Sequence, residues 1–213
     1  EMCIETGVGI DLGLKDSATA SNGDKLTIKQ TLKYAKQLAI AQRSNNKKRI
    51  KAIHAKIKNT RQDLIHKFTT QLVKDNALIV VGDIQSNQFN SKKGKLAKSV
   101  YDAGWFELKR QLTYKCENAG CRFEIVNERY TTQRCSCCGE ITANSPKGRK
   151  SLGIREWICA SCGTWHDRDI NASKNILAVG LDRLVEGILA LARGGSQGEY
   201  IYNNKGGVIH WTH

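Results

Sequence analysis

The sequence predicts a mixed α/β fold, and three observations carry that prediction. A meander of alternating strands opens the chain, a short β-branched run sits near its middle, and helical stripes separate the later strands. In order, Gly7 to Leu14 (GVGIDLGL) alternates small and apolar residues around one acid, Asp11, as a buried central strand does. Ala18 to Ser21 (ATAS) and Lys25 to Lys29 (KLTIK) flank Asn22-Gly23-Asp24, and Asn-Gly supplies the positive φ angles of a tight turn. Residues 1–29 therefore read as a three-stranded meander. From about Thr31 to Asp75 the apolar positions Ile50, Ile53, Ile57, Leu64, Phe68 and Leu72 fall at helical spacing, and Ser44-Asn45-Asn46 breaks the stretch into two antiparallel helices. Ala77 to Ile84 (ALIVVGDI) is a continuous β-branched run, the mark of a strand buried on both faces.

Polar residues 85–98, with Lys92, Lys93, Lys95 and Lys98, read as a loop. Tyr101, Trp105, Leu108, Leu112, Cys116 and Ala119 trace a helical stripe that Gly120 ends. Arg122 to Asn127 is a further alternating strand, and after a cysteine-rich region Asp169 to Arg193 is helical. A meander followed by crossover helices, β-β-β-α-α-β-α-β-[cysteine module]-α, matches an RNase H-like core. The expected division is a core over 1–130 that carries the basic helical pair (31–75), a cysteine module over 131–165, a final helix region over 166–193, and a tail over 194–213. That tail is rich in Gly and Asn without a sustained period and is expected to be weakly ordered.

At 213 residues, 40% hydrophobic and 25% charged, the chain has room for one main domain and a small module. Its 34 Lys and Arg against 20 Asp and Glu leave a net charge of +14, which points to a nucleic-acid partner. Most of that excess is local: residues 31–75 hold twelve basic residues and two acidic ones. Lys47, Lys48, Arg49, Lys51, Lys56, Lys58 and Arg61 are the candidate phosphate contacts. No run of 18 apolar residues and no export signal is present, so no membrane partner and a cytoplasmic location are expected. The chain opens at Glu1 and Met2 and enters strand-like sequence almost at once, which fits a fragment of something longer or a separate subunit.

Four of the eight cysteines form two Cys-x-x-Cys pairs, Cys135 with Cys138 and Cys159 with Cys162, twenty residues apart. In a lysine-rich chain with no export signal this favours a metal over disulfides. Each knuckle presents two thiolates from a tight turn, and two knuckles complete the tetrahedron of a structural Zn²⁺. Gly139 and Gly163 follow the knuckles, where the turn needs a residue without a side chain. Cys137 lies inside the first knuckle and reads as a bystander, while Cys3, Cys116 and Cys121 read as core residues. Asp11 on a buried strand is costly unless it meets a cation. Asp169 falls in a first helical turn, where interaction with the helix dipole is always available. Together the two acids suggest more: RNase H-like nucleases set one carboxylate on the first strand and another on the last helix, sharing Mg²⁺ ions.

GVGIDLGLKD, IVVGDI, AKSVYDAGWFELKRQLTYK, VNERYTTQRCSCCGE and REWICASCGTWHDRDINASKNIL together resemble the C-terminal half of the transposon-encoded TnpB proteins, relatives of the type V CRISPR effectors. The resemblance implies a RuvC-type nuclease domain interrupted by a zinc ribbon before its last acidic motif, with Asp169 as the acid of the family's Asp-x-Asn-Ala motif. It implies a Mg²⁺-dependent, RNA-guided DNA endonuclease, with guide RNA and target DNA as partners and two catalytic Mg²⁺ ions. Two departures stand out. The family's N-terminal guide-binding region is not in these 213 residues, and the strand that ends in Glu-Asp in most relatives reads Gly82-Asp83. The middle carboxylate must then come from elsewhere, or the site is inactive. Asp83, the alternative catalytic candidate, is one place along the strand and should face away from Asp11 unless the strand bulges. Glu128, which ends the strand RFEIVNE, is the expected replacement, giving a catalytic triad of Asp11, Glu128 and Asp169. A nuclease-inactive RNA-guided DNA-binding protein and a zinc-ribbon nucleic-acid adaptor stand as the alternatives.

Overall fold

The computed structural model describes residues 6–84, 103–147, 151, 153–192, 201–202 and 208–209. The chain divides into two units, one ending at Gly180 and one running from Leu181 to the C-terminus.

The first unit is built on a five-stranded sheet in the order β3-β2-β1-β4-β5. Its strands are β1 (Gly7–Asp11), β2 (Ala18–Ala20), β3 (Lys25–Leu26), β4 (Leu78–Gly82) and β5 (Arg122–Val126). β1, β2 and β3 are antiparallel neighbours, whereas β1, β4 and β5 run parallel, so the sheet is mixed and open. The expected meander is present with shorter strands. Gly23 supplies the turn at φ 97°, and Asn22 receives the N–H of Asp24 at 3.0 Å.

Parallel pairing of β1 with β4 requires a long crossover, and the basic helices supply it. α1 (Gln30–Lys33) and α2 (Ala35–Arg43) lead into α3 (Lys47–Asp75), which Asn46 caps by accepting the Arg49 N–H at 3.0 Å. Asn45, at φ 48°, makes the break where Ser44-Asn45-Asn46 was expected to turn. Tyr34 and Ala41 pack on Ile53 and Ile57, so the helical pair carries a small core of its own. Further along α3 the buried stripe continues through Arg61, Ile65, Thr69 and Leu72, with Leu64 and Phe68 only partly covered. The sheet-facing side is thus rotated from the expected one.

α4 (Trp105–Ala119) returns the chain from β4 to β5 and ends at Gly120 in the left-handed region, φ 69°. It buries Trp105, Leu108, Gln111, Leu112 and Cys116, while Ala119 is exposed; Tyr101, Lys92, Lys93, Lys95, Lys98 and Cys3 lie outside the described residues. Cys116 is buried and Cys121 packs against the core, as expected of core cysteines. α3 and α4 cover one face of the sheet, where Val8, Ile10, Ile79 and Val81 meet Ile65, Leu72, Leu108 and Leu112.

The other face receives the first three turns of α5 (Arg168–Ala192), and there the strands carry glycine. A Cβ on Gly9 would collide with the carbonyl oxygen of Ser173 and lie 2.7 Å from the backbone nitrogen of Leu177. On Gly7 it would lie 3.2 Å from the Leu177 side chain. The small residues of GVGIDLG are therefore spaces for a helix backbone. Between β5 and α5 stands the cysteine module with its own two-stranded ribbon, β6 (Glu156–Ile158) against β7 (Trp165–Asp167). The second unit holds the end of α5 and a short antiparallel pair, β8 (Ile201–Tyr202) with β9 (Val208–Ile209), within the stretch expected to be weakly ordered. Among the described residues no helix is long and apolar enough to cross a membrane.

Candidate active site and metal centre

Strand alternation decides which acids meet. On β1, Val8 and Ile10 face α3 and α4, so Gly7, Gly9 and Asp11 face α5. Asp11 thus arrives on the side from which α5 presents Asp169 in its first turn. Burial pushes the Asp11 carboxyl well above the ordinary carboxylate range, and the negative charges of Asp169 and Glu128 push it further, against a smaller pull from Arg168. Asp11, Glu128 and Asp169 are therefore brought together. Carboxylate oxygens gathered in this way could hold hard divalent cations.

On β4 the same alternation sends Gly82 toward α5 and Asp83 away from it. Asp83 is tied by Lys109 of α4, Nζ to Oδ1 at 2.9 Å, on the opposite face from Asp11. The space at Gly82 is taken by Glu128: a Cβ on Gly82 would lie 3.1 Å from Glu128 Oε2, 3.3 Å from its Cβ and 3.0 Å from Ile176 Cδ1. The carboxylate of Glu128 thus stands over Gly82 of β4. Burial pushes the Glu128 carboxyl up to about 7, with Lys109 pulling it down and Asp83 adding to the rise.

Asp167, rather than Asp169, caps the start of α5. Asp167 Oδ1 accepts the N–H groups of Asp169 at 2.9 Å and Ile170 at 3.0 Å, and its other oxygen meets Lys25 Nζ at 3.3 Å. Asp169 itself pairs with Arg155, at 3.2 Å from Nη1 to Oδ2. Lys109, Arg155, Asp167 and Arg168 were missed in the sequence. Asp167 alone had a local signal, an acid directly before a helix start; the others depend on long-range packing.

The cysteine module brings Cys135, Cys138, Cys159 and Cys162 together, with their sulfurs all within 4.8 Å of one another. Two edges of the cluster, Cys135 to Cys162 and Cys138 to Cys159, measure 3.7 Å. Four thiolates about 2.3 Å from a tetrahedral zinc have edges of about 3.8 Å, so the donor set fits such a metal. The two knuckles repeat one geometry. Gly139 N–H donates to Cys135 O and Gly163 N–H to Cys159 O, each at 2.9 Å, with both glycines at positive φ. Hydrogen bonding with Thr164 holds the Cys162 thiol down at about 6, whereas burial pushes Cys135 up to about 12. Cys137 is exposed and stands outside the cluster. Trp157 packs on Cys135 and Cys159, and Cys135 Sγ lies 3.0 Å from His166 Nε2.

Of the basic residues on α3, Lys47, Lys48, Arg49, Lys51, Lys56 and Lys58 are exposed. Arg61 is the correction: it is only 8% exposed, because it falls between Ile57 and Ile65 on the buried stripe. It lines, with Thr31, Lys51, His54 and Lys58, a cleft of about 440 Å³.

Strand order 3-2-1-4-5, acids on β1 and α5, and a four-cysteine ribbon directly before α5 define an RNase H-like core of the RuvC type with a zinc-ribbon insertion. Residues 105–176 match the family described as Cas12f1-like, TNB domain, and residues 4–91 one described as probable transposase. The chain belongs to the TnpB/Cas12f family. It is 37% identical over 188 residues to a putative RNA-guided DNA endonuclease of Streptomyces pristinaespiralis, covering 82% of this chain and 45% of that protein. It is 34% identical over 200 residues to the putative RNA-guided DNA endonuclease InsQ of Escherichia coli K12, covering 81% and 48%. The fold is shared with a cryo-EM structure of a Cas12f1-sgRNA-target DNA complex, at a TM-score of 0.60 and 18% identity over 82% of this chain and 50% of that one. The chain thus spans about half the length of the curated relatives it matches.

Proposed function

We propose that this chain is the nuclease portion of an RNA-guided DNA endonuclease, with guide RNA and target DNA as its partners in the cytoplasm, and that Asp11, Glu128 and Asp169 are its catalytic carboxylates. The observation that carries the reading is the Glu128 carboxylate standing over Gly82, beside Asp11 and Asp169. Two Mg²⁺ ions held there would activate the attacking water and stabilise the leaving 3′ oxygen. Asp11 and Glu128 would give up their protons to bound cations, Arg155 pairs with Asp169, and Lys109 pairs with Asp83. The four cysteines hold a structural Zn²⁺ that shapes the segment leading into α5. Target sequence is read by guide pairing, and the exposed cations of α3 supply backbone contacts.

Cleavage of DNA by the guide-bound complex tests this. Glu128→Gln should abolish Mg²⁺-dependent cleavage, and Asp83→Asn should leave it within a few-fold of the parent. Moving the acid back, with Glu128→Ala and Gly82→Glu together, should restore part of the lost rate. Undiminished cleavage by Glu128→Gln would remove Glu128 from the site. Failure of the parent to cleave while still binding guide and target would establish the binding-only alternative.

A further inference from the structure

Asn171 and Asn175, two buried amides one turn apart on α5, both reach across to the backbone that carries the first cysteine of the metal cluster. Asn171 is 1% exposed and Asn175 7%. Asn171 Oδ1 accepts the Ser136 N–H at 2.9 Å, and its Nδ2 donates to Arg134 O at 2.8 Å and Thr131 O at 3.3 Å. Asn175 Nδ2 donates to the same two carbonyls, Arg134 O at 2.7 Å and Thr131 O at 2.8 Å. Arg134 and Ser136 flank Cys135, which is fully buried. The amides therefore hold the peptide units on both sides of a metal ligand. Asp169 lies two residues before Asn171 on the same helix.

Both amide side chains are buried, the two bonds to Thr131 O are fully buried and the other three partly so, and moving these partners away would leave buried amide groups unsatisfied. A knuckle closed around its metal offers the Ser136 N–H and the Arg134 carbonyl at fixed positions, which sets the axial position and rotation of the first turns of α5. An open knuckle withdraws them together. The helix then loses its anchors at the point where Asp169 is aimed toward Asp11 and Glu128. Gly7 and Gly9 give the helix a close seat on β1 but no side-chain lock, and the amides are the directional contacts that tie it to the first knuckle.

We propose that Asn171 and Asn175 are positioning residues that couple the metal state of the four-cysteine cluster to the divalent-cation affinity of the Asp11, Glu128 and Asp169 cluster. The coupling rests on the active-site reading above. By linkage it is reciprocal: a cation among the carboxylates also tightens the knuckle.

Mn²⁺ binding to the purified, zinc-loaded chain, followed by electron paramagnetic resonance, tests the coupling without relying on cleavage. The relevant site is the one that Asp11→Asn abolishes. Removing zinc should weaken Mn²⁺ binding at that site by at least about tenfold, the usual scale for contacts that orient a metal ligand from behind. Asn171→Ala with Asn175→Ala should keep one zinc per chain, show the same weakening, and lose no more when zinc is removed. Unchanged Mn²⁺ binding in that variant, or an undiminished further loss on zinc removal, overturns the coupling and leaves the active-site reading intact. If the double variant does not fold, the parent chain decides: saturating Mn²⁺ should raise its equilibrium zinc affinity, read by competition with a zinc-selective chelator, by the same factor, and an unchanged affinity overturns the proposal. A parent chain with no Asp11-dependent Mn²⁺ site overturns both readings.

Discussion

Glu128 is where the chemistry of a single side chain is most exposed to test. Its carboxyl is raised from the ordinary 4.5 to about 7, mainly by burial, so the folded chain favours the neutral form. For a raised carboxyl, the stability gained is fully present below the unfolded value and is lost as pH rises through about 7. Glutamine mimics the neutral form throughout. Without added Mg²⁺, Glu128→Gln should therefore be more stable than the parent at pH 8 by about 1–2 kcal/mol, after discounting for partial solvent access. The gap should shrink toward pH 5. Urea unfolding at the two pH values checks this, and a gap independent of pH would mean that Glu128 ionises without penalty. The placement of this residue was legible for a simple reason. Alternation along β4 excludes Asp83, and Glu128 is the next acid where β5 leaves the sheet. What one strand does not reveal is the vacancy that Gly82 leaves for a neighbour's carboxylate, because that contact joins residues 46 positions apart.

At the scale of elements, β1 and α5 form the contact on which the site depends, and glycine is its means. The helix backbone sits where a side chain on Gly9 would be. Gly9→Ala must push α5 from the sheet, at a cost of about 3 kcal/mol from overpacking against backbone that cannot rotate away. It should also move Asp169 off Asp11, so the loss of divalent-cation binding should exceed the loss of thermal stability expected of a simple core defect. Thermal unfolding and Mn²⁺ titration of the same variant separate the two effects, and near-parental values in both would show that the helix has room to shift. GVGIDLG announces a buried strand, but it does not announce which element fills the glycine side. The basic helix shows the same limit. Its period was clear, yet the turn-by-turn rotation that buries Arg61 and Ile65 is set by α4, which packs on it from more than thirty residues downstream. Close-range signals, the Asn-Gly turn, Gly120 and the two knuckles, were legible because each is settled by the chemistry of two to five neighbouring residues.

For the molecule as a whole, charge placement is the feature that most constrains its partner. Residues 31–75 hold ten of the net fourteen positive charges, and eight of their cations stand exposed along α3 while its opposite stripe is buried. A uniform coat of lysine would give weak attraction over the entire surface, whereas one cationic helix presents phosphates with a track. Displacing counterions from a single strand gives a salt slope of about 0.7 per phosphate contacted. Neutralising Lys47, Lys48, Arg49 and Lys51 to Gln should therefore weaken binding of a single-stranded RNA and lower the slope of log affinity against log salt by up to roughly 3. Because these side chains are exposed on the far side from the core, folding and zinc content should be unchanged. Titrations of parent and quadruple variant from 50 to 300 mM salt decide the matter: parallel lines of equal slope would mean that the phosphates are held elsewhere and that the helix is only a solvated strut of the crossover.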